Sequence, residues 1–344
     1  MSEKSYFAAS NTERGFVSYF SELFRERAER CYIIKGGPGT GKSRLMREIG
    51  SVAESAGCAV EYYYCSSDPD SLDGIFAERG GDSFAVIDGT APHAEDIGTA
   101  GSVDNLVDLG RFWDSRALRE RRKEIALLGA RKKKAYATAY GALAAYGALT
   151  RTADSLVLEC VDLEAMAEEA AKLALTLKPA ERLRSPLSAI GMKGMRSFGT
   201  FGEIARHTLG VTDMRGYGCS YLYFDALSRA IGTCRTSPDP ILEGRVDGIL
   251  TDGVAIVCSA VTDNVELVTD VSDFVDRSAY LYRKDRVERL RTLALGAVDQ
   301  ASLSFAEAGA AHAKLEEIYS SAMNFGEKEA CSAELCAKIA SGDL

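Results

Sequence analysis

Histidine is scarce, with three residues in 344, and tryptophan occurs once. His93, His207 and His312 stand far apart, and none of the nine cysteines forms a C-x-x-C pair. Tetrahedral zinc sites take ligands clustered in pairs, so a zinc-held fold is not expected. The cysteines are odd in number and scattered (Cys31, Cys58, Cys65, Cys160, Cys219, Cys234, Cys258, Cys331, Cys336), which reads as reduced thiols rather than a disulfide framework. No apolar run is long enough to cross a bilayer. Met1 to Ser10 has neither a basic n-region nor an apolar h-region, so the expectation is a cytoplasmic protein with no membrane partner. Basic charge is not in excess either: 41 Lys and Arg against 50 Asp and Glu give a net charge of −9. A broad nucleic-acid surface is therefore disfavoured, since sequence-independent affinity comes from neutralised phosphates. What is present is a globular composition, 46% hydrophobic and 26% charged, on a chain long enough for two domains.

One motif carries chemistry. Cys31-Tyr-Ile-Ile-Lys35 reads as a short buried strand running into Gly36-Gly37-Pro38-Gly39-Thr40-Gly41-Lys42-Ser43, a full G-x-x-x-x-G-K-S/T, with a helix expected from Arg44 onward. The glycines let backbone N–H groups close around a polyphosphate, and the helix N-terminus adds partial positive charge. The spacing assigns residues Gly36 to Arg44 to nucleotide binding, Lys42 to the β- and γ-phosphates, and the Ser43 hydroxyl to Mg²⁺. No N-K-x-D or T-K-x-D follows the loop, so ATP is expected over GTP. A strand at Val60–Tyr64 follows, and another at Phe84–Ile87 ends at Asp88, where a carboxylate commonly supports Mg²⁺. Lys42 and Asp88 are the catalytic candidates, Ser43 and Asp88 the metal ligands. The plain alternative for Asp88 is an aspartate opening the turn Asp88-Gly89. Gly89 stands where many ATPases carry a glutamate, leaving His93 and Glu95 as candidate bases.

The chain reads as duplicated. Cys65-Ser-Ser-Asp-Pro-Asp70 recurs as Cys234-Arg-Thr-Ser-Pro-Asp239, and Phe84–Ile87 corresponds to Val254–Val257. Carried back without gaps, this register sets Gly210-Val211-Thr212 opposite Gly41-Lys42-Ser43, so the second copy lacks a phosphate loop. Each core leads into a helical seam: Leu118, Ile125, Leu128, Tyr136, Ala139, Leu143 and Tyr146 in the first, Val287 to Tyr319 in the second. Returns are expected at Leu163–Leu177 and Glu327–Ile339, making two helical hairpins. The expected division is 1–114, a nucleotide-binding α/β core; 115–180, a hairpin; 181–275, a degenerate α/β half; and 276–344, a second hairpin.

Asn11-Thr12 through Gly15-Phe16, the loop Gly36 to Ser43, Cys65 through Leu72-Asp73-Gly74, and Asp88 through His93 together resemble an uncharacterised family of duplicated P-loop ATPases of Firmicutes-type bacteria. The likeness continues at Val107–Trp113 and His312–Phe325 and so covers most of the chain. It implies a P-loop NTPase fold and ATP binding. In that family the second half often keeps its own P-loop, which this sequence lacks.

Remaining residues carry weaker signals. Ser66, Ser67, Asp68, Asp70 and Asp73 suit an acceptor or the Mg²⁺ shell, and equally an Asx turn around Pro69. Arg196, Arg206 and Arg215 lie in the connector, where an arginine finger would originate. Arg131–Lys134 must wrap around a helix, His312 falls on a seam, and Trp113 reads as a core anchor. The expected function is a Mg-dependent ATPase that moves its second half or arms. The alternatives are a small-molecule kinase using Asp68 to Asp73, or a non-hydrolysing switch. The partner beyond ATP, small molecule or protein, and the oligomeric state stay open.

Overall fold

The computed structural model describes residues 3–92, 95–258 and 265–341. The first half runs through β1 (Lys4–Phe7), a hairpin of β2 (Ala9–Thr12) and β3 (Gly15–Ser18), β4 (Arg30–Lys35), α1 (Lys42–Ser55), β5 (Ala59–Tyr64), β6 (Leu72–Arg79), β7 (Asp82–Asp88) and β8 (Asp104–Asp108). Helices α2 (Ser115–Glu120), α3 (Arg122–Leu158) and α4 (Leu163–Ala174) follow. The second half contains β9 (Leu183–Arg184), a hairpin of β10 (Ser188–Gly191) and β11 (Gly194–Ser197), α5 (Thr200–Ile204), β12 (His207–Thr212), α6 (Ser220–Ile231), β13 (Arg235–Pro238), β14 (Val246–Leu250), β15 (Val254–Cys258) and β16 (Leu267–Asp270). It ends in α7 (Arg277–Ser321) and α8 (Phe325–Ser341).

The strands form two six-stranded sheets of one topology, β1-β5-β6-β7-β4-β8 and β9-β13-β14-β15-β12-β16. In each, the third strand runs antiparallel to both neighbours, and the remaining neighbours pair in parallel. The duplicated α/β architecture is therefore present, and each sheet is mixed, its single antiparallel strand set among five that run parallel. At the centre, Cys31, Ile33 and Ile34 of β4 are buried on both faces, as a continuous apolar run requires. Helix α1 buries the stripe Leu45, Met46, Ile49 and Ala53 against this sheet and stops where Gly57 turns left-handed (φ +85°).

The register of the repeat differs from the one expected. Tyr63 pairs with Gly74 and Ser237 with Gly248, with a bulge directly after each, so Asp239 rather than Cys234 occupies the place of Cys65. The true sequence echo is Leu72-Asp-Gly-Ile-Phe76 with Val246-Asp-Gly-Ile-Leu250. The match of Phe84–Ile87 with Val254–Val257 holds, because Ile87 faces Gly74 as Val257 faces Gly248. Gly210–Thr212 lies inside β12, opposite the end of β4, and the counterpart of the glycine-rich loop is 213–219.

The arms are not hairpins. Helix α3 packs along α7 in a long pair, whereas α4 packs on α6 of the second half and α8 packs on α1 of the first. Buried residues Val287, Ala294, Ala301, Ala308 and Leu315 recur every seventh position along α7, and this seam belongs to α3. Each arm ends on the other half: Asp114 N–H donates to Ala322 O at 2.7 Å, and the equivalent Asp276 N–H donates to Cys160 O at 2.8 Å. Asp114 and Asp276 also cap α2 and α7 alike, each carboxylate accepting two backbone N–H groups. The chain thus exchanges its closing helices between halves, an internal swap.

Candidate functional site

The glycine-rich loop leaves the end of β4 and closes on the first turn of α1. Gly39 (φ +72°) and Gly41 (φ +81°) both need left-handed backbone. A Cβ on Gly39 would also meet the Glu316 carbonyl of α7 at 2.6 Å, so the loop is packed directly beneath the arm. The Ser320 hydroxyl donates to Gly39 O at 3.2 Å from the same helix. Lys42 turns back over the loop, donating to Gly36 O and Gly37 O, each at 2.9 Å.

Strand β7 hydrogen-bonds directly to β4, with no strand between them, and Asp88 pairs in register with Ile34. One carboxylate oxygen, Oδ2, lies 3.5 Å from Lys42 Nζ. The other, Oδ1, accepts from Thr90 N–H (2.9 Å) and Oγ1 (2.6 Å), so the turn read as the alternative is also there. Burial pushes the Asp88 carboxyl above its ordinary range, with Lys42 pulling it down and Asp73 adding to the rise. The Ser43 hydroxyl oxygen accepts from Leu72 N–H at 3.0 Å. His93 lies outside the described residues. Glu95 turns its backbone carbonyl to Lys35 (2.6 Å) and does not line the cavity.

These residues share a cavity of about 770 Å³. Gly36 to Arg44 form its floor, with Asp73 and Asp88 at one wall. Its roof comes from the arms and the second half: Lys132 and Tyr136 of α3, His312, Glu316 and Ser320 of α7, and Met192 at the tip of the β10–β11 hairpin. Trp113 lies in the wall against Gly37, its ring tilted against Tyr319 at a centroid distance of 5.3 Å; it is half-buried and lines the cavity rather than anchoring a core. Among the described residues no group of three or more His, Cys, Asp or Glu gathers as a cation cage. A cation beside Ser43 and Asp88 would therefore complete its shell with ligand oxygens and water, as Mg²⁺ does.

The roof was largely missed in the sequence. Within Arg131–Lys134, Lys132 alone faces the cavity, its Nζ 2.9 Å from His312 Nδ1. Burial, with the Lys132 charge beside it, pushes His312 down to about 4, so the ring is neutral and accepts from the lysine. Burial also raises the Glu316 carboxyl, an effect the nearby Asp68 reinforces. The acidic loop is taken up by the connector: Lys193 Nζ lies 2.8 Å from Asp68 and 2.5 Å from Asp70, while Asp68 also accepts from Ser71 Oγ (2.9 Å). Of the arginines considered as fingers, Arg206 pairs with Asp252 and Arg215 with Asp273, and Arg196 lies on exposed β11; none of the three lines the cavity.

In the second half the equivalent loop is closed. The Asp213 carboxylate accepts from Tyr217 N–H (2.9 Å), Cys219 N–H (3.4 Å) and Gly218 N–H, filling the amide cradle at the start of α6. Arg291 of α7 donates to the Gly216 and Tyr217 carbonyls of the same loop. Asp88 is replaced by Cys258, which faces Val211 as Asp88 faces Ile34.

The chain matches no family model, no curated protein and no solved structure.

Proposed function

We propose that the chain is a P-loop NTPase that binds ATP with Mg²⁺ at Gly36–Arg44 and hydrolyses it, moving the paired arms. The observation that carries this is one cavity in which a glycine-rich loop, its lysine, a hydroxyl on the first helical turn and a largely enclosed aspartate converge. The backbone amides of Gly37 to Lys42 would hold the phosphates. Lys42 would exchange the Gly36 and Gly37 carbonyls for phosphate oxygens. Ser43 and Asp88 Oδ2 would hold the Mg²⁺ that accompanies the nucleotide and shields its charge. Phosphoryl transfer needs mainly such positioning and charge stabilisation.

Water is the favoured acceptor. The loop Asp68–Asp73, which a kinase would use for its second substrate, has Asp68 and Asp70 committed to Lys193. Glu316 supplies a carboxylate in the roof, above the loop and in the neighbourhood of Lys42. The energy of hydrolysis has a route outward, because Glu316 and Ser320 sit on the helix that also closes the second loop through Arg291.

The test is phosphate release from Mg-ATP by the full chain and by Lys42→Ala, with thermal stability recorded for both. ATP at a hundredfold excess over Kd should stabilise the parent by about 2.7 kcal/mol. Turnover that survives Lys42→Ala unchanged would sink the proposal.

A further inference from the structure

Helix α8 carries a buried lysine for which packing gives no reason. Lys328 is 2% exposed in the face that docks on α1. Among the described residues no carboxylate comes within 4.0 Å of its Nζ, and the ammonium makes no hydrogen bond. An ammonium held in place by the packing of its stem, with no carboxylate beside it, is free to meet an anion. The end of the side chain lies against Gly41 of the glycine-rich loop, at the edge of the cavity rather than among its lining residues. A Cβ built on Gly41 would stand 3.6 Å from Lys328 Nζ and 3.5 Å from its Cε. The next residue along, Glu329, reaches Arg44 of the same loop at 3.8 Å, and Phe325, one turn earlier, lines the cavity.

The duplication supplies an independent comparison. From β8 to the end of the chain the halves align without a gap: Asp108 corresponds to Asp270, Asp114 to Asp276, Cys160 to Ala322 and Asp162 to Asn324. The same spacing sets Met166 of α4 in the place of Lys328. Met166 is 1% exposed and packs where α4 meets α6. An apolar side chain therefore satisfies the packing of this helix on its partner. The half whose loop is open has the cation, and the half whose loop is filled by Asp213 has the thioether.

We propose that Lys328 is a second phosphate-binding cation, delivered to the glycine-rich loop by the closing helix of the other half. Bound polyphosphate then clamps α8 to α1, so that nucleotide binding and the docking of the exchanged helix are linked. This rests on the reading that the loop holds a nucleoside triphosphate.

Calorimetric titration of Mg-ATP and of inorganic tripolyphosphate into the full chain, Lys42→Ala, Lys328→Met and Lys328→Arg tests it. Lys328→Met should weaken both ligands by about tenfold or more, the scale of a lost charge-assisted hydrogen bond. Its ligand-free melting temperature should hold or rise, because Met166 shows the shape is accommodated. Lys328→Arg should keep most of the affinity. Lys328→Met that binds both ligands like the parent overturns the role of Lys328 while leaving the loop assignment intact. A parent chain that binds neither ligand removes the assignment itself.

Discussion

Glu61 and Arg235 occupy the same position in the two sheets and pair with each other, Arg235 Nη1 lying 2.7 Å from Glu61 Oε1. Arg27 approaches the second carboxylate oxygen at 2.9 Å, and Tyr63 donates to it at 2.7 Å. Both side chains of the pair are nearly buried, at 11% and 8% exposure. Two copies of one ancestral site thus carry opposite charges and join the halves. Burial alone would raise the Glu61 carboxyl, but Arg235 and Arg27 outweigh it and hold the group down at about 2.

Losing the carboxylate should hurt more than losing one arginine. Glu61→Gln leaves Arg235 and Arg27 facing each other in a buried space, with an expected loss of about 3–5 kcal/mol. Arg235→Met leaves Glu61 paired with Arg27, and about 1–3 kcal/mol is expected. The pH dependence follows from the lowered value. The folded group titrates below its unfolded counterpart, near 4.3, so its stabilisation is complete above that pH and is lost as pH falls toward 2. Urea unfolding between pH 6 and 2.5 should show a steeper acid loss for the parent than for Glu61→Gln; parallel curves would contradict the pairing energetics.

How much of this was legible depends on what each signal specifies. Cys31–Lys35 and the loop after it were readable because each position has a local physical demand. The arms were readable as helices, since seven-residue spacing marks a seam. It does not name the partner, and α3 found α7 rather than α4. Strand β6 was hidden because Asp73 was grouped with the acidic loop around Pro69, although Asp73 and Gly74 sit in a ladder against β5 and β7. The repeat register failed on three identities in six residues at Cys65 and Cys234. The longer echo Asp108-x-x-x-Phe-x-Asp114 with Asp270-x-x-x-Phe-x-Asp276 was available and correct. Lys132 and Lys328 were missed because a lysine on a helix reads as solvated until its partner surface is known.

The second loop should depend on its own carboxylate. Asp213→Ala leaves the amides of Tyr217, Gly218 and Cys219 without their acceptor at the start of α6. By analogy with a lost helix cap, a destabilisation of about 1–2 kcal/mol is expected. Sulfate should restore part of it where equal ionic strength in chloride does not, because the missing group is an anion at a helix N-terminus. Melting temperatures in the two salts decide it, and an undisturbed Asp213→Ala melt would refute the filled cradle.

Glu316→Gln separates chemistry from binding. If the carboxylate orients or deprotonates the attacking water, turnover should drop by about a hundredfold, within the range for general-base groups. The Kd for Mg-ATP should stay within about twofold, since the substitution keeps the shape and the helix. Single-turnover phosphate release and equilibrium titration measure the two quantities. Equal losses in both would instead make Glu316 a part of the binding surface.

His312 reports on the cavity without any assay of turnover. The chain has only three histidines, and His207 lies on the surface beside Glu266, so the imidazole proton resonances should be few enough to assign. Burial and the adjacent Lys132 hold His312 down at about 4, with Lys42 acting in the same direction. Lys132→Met should therefore move its titration upward toward the ordinary value near 6.5. Bound triphosphate should do the same, because negative charge beside Lys42 and Lys132 offsets the cations that keep the ring neutral. Since the folded value is depressed, the penalty for protonating His312 falls between the two values, and stability should decline as pH drops through that window. A His312 resonance that shifts with Lys132→Met but ignores Mg-ATP would mean that nucleotide, if bound, does not lie beneath the arms.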